Sequence, residues 1–182
     1  MKEYDLIVIG SGAGLNVVSK ARQKGMKVAL VENGPMGGTC LNRGCIPSKI
    51  LVTPAELVRT IADAKRMGIH ARVESTDYRL VRERMWALIA PDRDGILNSV
   101  NKDAGIDLYQ TTAHFVGRNV LQVGDEQITS QRIIIAVGTR TRVPDVPGLL
   151  DTGFLMTEDF FEITDLPKSM VIIGGGYKAC EL

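Results

Sequence analysis

No stretch of this sequence stays apolar for the roughly 20 residues that a membrane-spanning helix needs. The longest candidates, Leu6–Ile9 and Ile133–Val137, have the length of strands. Charge of one sign is also lacking. Lys and Arg total 22 against 21 Asp and Glu, a net charge of +1, so no basic surface argues for nucleic acid and no acidic tail for a solvating segment. Three cysteines are too few for a disulfide scaffold. His70 and His114 stand alone and no second cysteine pair lies at ligand spacing, so no metal is expected. The opening Met1-Lys2-Glu3-Tyr4-Asp5 leads at once into a short apolar run, unlike a signal peptide, and the expected location is the cytoplasm. Repeats and low-complexity tracts are absent. What remains is 45% hydrophobic content over 182 residues, enough for a domain with a packed core.

Leu6–Ile9 reads as a strand and runs into Gly10-Ser11-Gly12-Ala13-Gly14. A helix follows to about Lys24-Gly25, then a second strand over Val28–Val31. Strand, glycine turn, helix, strand is the first unit of a doubly wound parallel sheet. Glycines at 10 and 12 permit a tight turn that points helix N-terminal amides at a pyrophosphate, with Ala13 and Gly14 in the same turn. Glu32, ending the second strand, stands where a carboxylate accepts hydrogen bonds from ribose hydroxyls. The third small residue of the pattern falls at position 15, which is Leu15, and Gly14 beside it is the compensating candidate. Helical patterns cover Ile46–Met67, closed by Gly68, and Tyr78–Asn101, where Pro91 is expected to kink or break the helix. Four short segments from Leu108 to Ser130 suggest an antiparallel meander, Arg132–Val137 a returning parallel strand, and Met170–Ile173 a further strand before Gly174-Gly175-Gly176. The expected fold is α/β: a doubly wound, Rossmann-like parallel sheet with helices, a small β-meander, and the start of a second nucleotide-binding unit. Residues 1–150 form the first domain, and 151–182 a linker and the first strand-turn of the next.

Chemistry concentrates in Gly37-Gly38-Thr39-Cys40-Leu41-Asn42-Arg43-Gly44-Cys45-Ile46-Pro47-Ser48-Lys49. Residues five apart in a regular α-helix have Cα atoms about 8–9 Å apart, beyond the roughly 7 Å limit of a disulfide. A bond between Cys40 and Cys45 therefore requires a distorted turn, and Gly44 supplies the latitude. A redox disulfide competes here with zinc binding and with two merely buried thiols. Arg43 either favours thiolate or pairs with a surface carboxylate. Cys180 reads as a core residue of the last helix.

This run closely resembles the redox signature of the pyridine nucleotide-disulfide oxidoreductases, and within them the dihydrolipoyl dehydrogenases. The resemblance spans the whole chain as that family's N-terminal FAD-binding half, continuing through Ile134–Thr139 and Gly174–Tyr177. It implies that Cys40 exchanges with a dithiol substrate, that Cys45 is the flavin-side sulfur, and that Lys49 lies near the flavin ring. It implies FAD contacts at Glu32, Gly38, Thr39, Ala113, Val137, Gly138 and Thr139, the Val137 contact coming from backbone. Gly174, Gly176, Ala179 and Glu181 resemble the NAD-binding turn, with NADP equally open. The implied reaction is oxidation of dihydrolipoamide by NAD through the Cys40–Cys45 disulfide and FAD. Glutathione, mycothiol and mercuric reductases are the alternatives within the family, and Ser48 leans away from the glutathione type. A non-catalytic FAD-binding redox sensor is the alternative outside it. The implied partner is the lipoyl carrier of a 2-oxoacid dehydrogenase or of glycine cleavage, and the full-length form is a homodimer.

Overall fold

The computed structural model describes residues 1–182. It comprises two compact units, Met1–Asn42 with Pro91–Arg140, and Arg43–Ala90 with Thr141–Leu182.

In chain order the elements are β1 (Lys2–Glu3), β2 (Leu6–Ile9), α1 (Gly14–Gln23), β3 (Val28–Val31), α2 (Gly38–Arg43), α3 (Cys45–Asp63) and α4 (Tyr78–Lys102). They continue with β4 (Ile106–Tyr109), β5 (Ala113–Gly117), β6 (Val120–Val123), β7 (Glu126–Thr129), β8 (Ile133–Ile135), α5 (Thr157–Phe160) and α6 (Tyr177–Glu181). In the first unit, β4-β3-β2-β8 form a parallel sheet. Its central strands are apolar at successive residues because both faces are covered. Leu6, Val8, Val28 and Leu30 pack with Val18 and Ala21 of α1, Met36, and Val100 of α4. Ile7, Ala29 and Val31 pack on the other side with Leu121, Val123 and Ile128 of the β5-β6-β7 meander, to which β1 adds a parallel edge. Each buried Val, Leu, Ile or Met among them contributes roughly 1.5–3 kcal/mol. The glycine turn after β2 is thus fixed from beneath by the best-packed part of the unit.

Tyr4 closes the lower edge of this core. Its hydroxyl donates to Asp107 Oδ2 at 2.6 Å and shares a 2.7 Å bond with the Tyr109 hydroxyl. Burial first, then these two partners, raise its pKa well above the ordinary phenol value.

Three expectations are corrected. The segment beginning at Leu108 belongs to β4 in the parallel sheet, in register with β3 (Leu30↔Leu108), and not to the meander. Ile106 and Leu108 pack on the α1 side of the core, a burial the meander does not offer. Of the two outcomes expected at Pro91, the break does not occur: α4 runs through it to Lys102, losing the one N–H that proline lacks. Met170–Ile173 is not a strand, and Val171 is 87% exposed. Apolar residues become a strand only beside a hydrogen-bonding neighbour, and no strand pairs with this run.

In the second unit α3 continues through Pro54 and passes into a 3₁₀ turn, Ala64–Met67, ended by Gly68 at φ 79°. Pro47, Met85, Ile89 and Phe161 are its most deeply buried side chains. No helix is long and apolar enough to cross a membrane.

Candidate active site

The turn after β2 needs glycine for steric reasons that differ from position to position. Gly10 has φ 103° and donates its N–H to the Val31 carbonyl at 2.8 Å. A Cβ there would sit 2.3 Å from the Ala136 carbonyl oxygen, just past β8. At Gly14 a Cβ would come 2.8 Å from Val8 Cγ1. Gly14, and not position 15, is therefore the small residue that lets α1 lie close on β2, while Leu15 packs into the core beside it. Ala13 occupies the N-cap, with no side-chain cap and no acidic residue in the first turn of α1. The amides of Leu15 and Asn16 turn back to the Gly12 and Ala13 carbonyls, each at 3.2 Å, and with no side chain or carboxylate on it this end of the helix keeps the positive pole of its dipole for an anion.

Glu32 is engaged by the chain itself. Its Oε2 accepts from the Ser11 N–H at 2.8 Å and the Ser11 hydroxyl at 2.6 Å, and its Oε1 accepts from the Gly34 N–H at 2.8 Å. Ser11, wholly buried, also accepts at Oγ from the Gly37 N–H at 3.1 Å. Burial pushes the Glu32 carboxyl up, but the Ser11 hydroxyl and the amides of Ser11, Gly34 and Asn33 outweigh it and hold the pKa below the ordinary 4.5. A depressed folded pKa contributes stability that is whole above 4.5 and is lost as the pH falls through the lower folded value. Glu32→Gln is therefore expected to cost about 2 kcal/mol at neutral pH and to flatten the acid limb of stability below about pH 5. Denaturant midpoints measured across that range check it; an acid limb as steep as that of the parent chain would contradict the assignment.

The same network reaches the cysteine segment. Gly37 (φ 98°) and Gly38 (φ 67°) make a corner, and a Cβ on Gly38 would lie 2.5 Å from Gly12 Cα. Two backbones thus touch where a side chain at Gly38 would hold them apart. Asn42, 5% exposed, donates from Nδ2 to the carbonyls of Met36 at 2.9 Å and Gly38 at 3.0 Å. Its Oδ1 is buried without a partner. Thr39 and Cys40 follow the corner in α2, which ends at Arg43; α3 starts afresh at Cys45, with Gly44 as its N-cap (φ −154°, ψ −118°). The helix is interrupted between the cysteines, as the reach of a disulfide demands. Cys40, Cys45 and Cys180 are exposed thiols; for Cys180 this corrects the expectation of a core position.

Within the second unit, Lys49 pairs with the Glu181 carboxylate, joining two residues that the sequence singled out separately. Both are substantially exposed, so the pair adds little stability. Gly174 has φ 128° and Gly176 is the N-cap of α6, which carries Ala179. In the first unit, Ala113 opens β5, and Val137, Gly138 and Thr139 extend, exposed, from the end of β8. The structure thus gathers Gly10, Gly12, Gly14, Glu32, Gly38 and the β8 exit at the C-terminal ends of parallel strands. That is where open α/β sheets bind ligands. Sequence reasoning missed Ser11 and Asn42. The available signal was a polar residue inside each glycine-bounded motif.

Residues 4–182 match the family described as pyridine nucleotide-disulphide oxidoreductase. The chain belongs to this family. It is 33% identical over 181 residues to a mercuric reductase of Staphylococcus aureus, covering 99% of this chain and 33% of that protein. It is 36% identical over 184 residues to a dihydrolipoyl dehydrogenase of Chlamydia muridarum, covering 98% and 39%. In structure it is similar to the HOCl-induced flavoprotein disulfide reductase RclA of Escherichia coli, with a TM-score of 0.83 and 29% identity, covering 98% of this chain and 38% of that one. The chain therefore spans about a third to two-fifths of the length of these relatives.

Members of the pyridine nucleotide-disulphide oxidoreductases use FAD and a pyridine nucleotide. The residues here fit the dinucleotide: the first turn of α1 has no side-chain cap, and the glycines of the turn carry no side chain that would fill the space beside it. Glu32 differs from a plain ribose acceptor, because its oxygens already brace the turn through Ser11 and Gly34.

Proposed function

We propose that this chain is the flavin-binding portion of a dihydrolipoyl dehydrogenase in which Cys40 and Cys45 alternate between disulfide and dithiol. The observation that carries the reading is the break at Gly44, which separates two exposed cysteines placed on successive helices. Gly10, Gly12, Ala13, Gly14, Glu32, Gly38, Thr39, Ala113 and the backbone of Val137–Thr139 are the residues that would hold FAD, with Lys49 near the flavin ring. Bound FAD supplies two-electron exchange between a dithiol and a pyridine nucleotide. The turn Gly174, Gly176, Ala179 and Glu181 would begin the site for NAD or NADP.

The cysteines carry their own step. A substrate thiolate attacks Cys40 Sγ, the Cys40–Cys45 bond breaks, and Cys45 leaves as thiolate. The second substrate thiolate then attacks the substrate sulfur joined to Cys40, closing a cyclic disulfide and releasing Cys40 as thiolate. The substrate loses two electrons and two protons; the disulfide gains the electrons. Cys40, following the corner that Asn42 ties down, is the entry sulfur in this scheme.

Residues 1–150 are read as the FAD-binding domain and 151–182 as the lead into the pyridine nucleotide domain. The donor is read as a lipoyl group on the carrier of a 2-oxoacid dehydrogenase or of glycine cleavage, the whole enzyme as a homodimer, and the compartment as the cytoplasm. Resemblance of the Gly37–Lys49 segment supports the lipoyl donor. The test is anaerobic mixing of the oxidised chain with dihydrolipoamide. Two new thiols, mapped to Cys40 and Cys45, are expected per chain; an oxidised pair left intact by dihydrolipoamide would refute the donor.

A further inference from the structure

From Asn33 to Ala55 the chain contains no acidic residue, and its two cations are Arg43 and Lys49. Lys49 is engaged with Glu181, whereas no carboxylate oxygen lies within ion-pair distance of Arg43, which is exposed. Arg43 is thus the uncommitted charge of the cysteine segment. It ends α2 three residues after Cys40 and precedes Cys45 by two. Residues three apart on one helix are surface neighbours, with Cβ atoms about 5–6 Å apart. A cation stabilises the C-terminal end of a helix, but any basic side chain does so, and α2 has only 6 residues to supply a dipole. What singles out Arg43 is its place, a charge without a carboxylate partner three residues from Cys40.

We propose that Arg43 is a specificity-determining residue that favours dithiol and disulfide substrates bearing a negative charge close to their sulfurs. This goes beyond the lipoyl donor, whose sulfurs have no charged neighbour, and rests on the reading of Cys40 as the exchanging thiol. The charge acts on the incoming molecule as it aligns for sulfur exchange. For two unit charges about 6 Å apart in water, the attraction corresponds to about a three-fold gain in rate. The preference declines with salt, because the screening length shrinks to about 3 Å at 1 M.

The test uses the full chain, reduced, in a Cys180→Ser background so that the third exposed thiol is silent. Two aromatic disulfides are compared, the anionic dithiobis(nitrobenzoate) and the neutral dithiodipyridine. In either reaction Cys40 thiolate attacks the reagent, expelling one aryl thiolate. Cys45 thiolate then attacks Cys40 Sγ and expels the second, so the dithiol loses the two electrons that the reagent gains. The readout is the ratio of the anionic to the neutral rate constant, which cancels a change in thiol reactivity common to both reagents. Arg43→Lys is expected to keep the ratio, Arg43→Gln to lower it about three-fold and Arg43→Glu about ten-fold. Arg59→Gln, the same charge change at an exposed site on α3, is expected to leave it unchanged. If Cys40→Ser removes the fast phase but Arg43→Gln keeps the parent ratio, the selectivity is wrong and the exchanging thiol stands. If Cys40→Ser leaves the fast phase intact, both fall.

Discussion

Gly10→Ala is expected to cost on the order of 4 kcal/mol, about a quarter or more of the stability of a typical domain. Two penalties coincide at this position. The φ of 103° is outside the range that side chains accept, and the added Cβ would lie 2.3 Å from the Ala136 carbonyl oxygen. That oxygen is backbone, and the Ala136 N–H is itself bonded to the Ile9 carbonyl at 2.7 Å, so neither strand can retreat without breaking the β2–β8 ladder. Gly95 is the internal control. It lies inside α4 with open space where a Cβ would go, and Gly95→Ala is expected to gain about 0.5–1 kcal/mol from helix propensity. Urea or guanidinium midpoints of the two variants should move in opposite directions. A Gly10→Ala chain within about 1 kcal/mol of the parent would mean that the turn has room it does not show.

Electron uptake from dihydrolipoamide is expected to fall at least about a thousand-fold in either Cys40→Ser or Cys45→Ser. Neither variant can form the internal disulfide, and a hydroxyl cannot replace a sulfur as leaving group in exchange. Cys180→Ser, which changes the remaining exposed thiol, should retain the parent rate. Stopped-flow thiol assays with equal amounts of each oxidised chain make the comparison. Loss of uptake in Cys180→Ser would assign the chemistry to a different pair.

The parts legible in the sequence were those where local chemistry and tertiary demand agree. The strands β2 and β3 are apolar on both faces because they are buried on both, and the run of apolar residues states that directly. Gly68 ended its helix because φ 79° is open to glycine. The break at Gly44 followed from comparing the reach of a disulfide with the rise of a helix. Legibility ended where long-range partners decide. Ile106 and Leu108 alternate like a meander strand, yet their destination is set by the edge of β3, more than seventy residues earlier in the chain. Met170–Ile173 has the composition of a strand without a neighbour to pair with. Ser11 sits in the middle of the glycine fingerprint, where the pattern assigns it no role. Only the fold brings Glu32 and Gly37 to its hydroxyl. Asn42 was similarly silent, because its value lies in carbonyls that the turn collects around it.

The central claim, a redox-active Cys40–Cys45 pair working beside a flavin, is tested most directly by anaerobic reductive titration of the FAD-loaded chain. Four electrons per bound flavin are expected, two for the flavin and two for the disulfide, with the count falling to two in Cys45→Ser. A parent chain that consumes only two electrons per flavin, indistinguishable from Cys45→Ser, would contradict it.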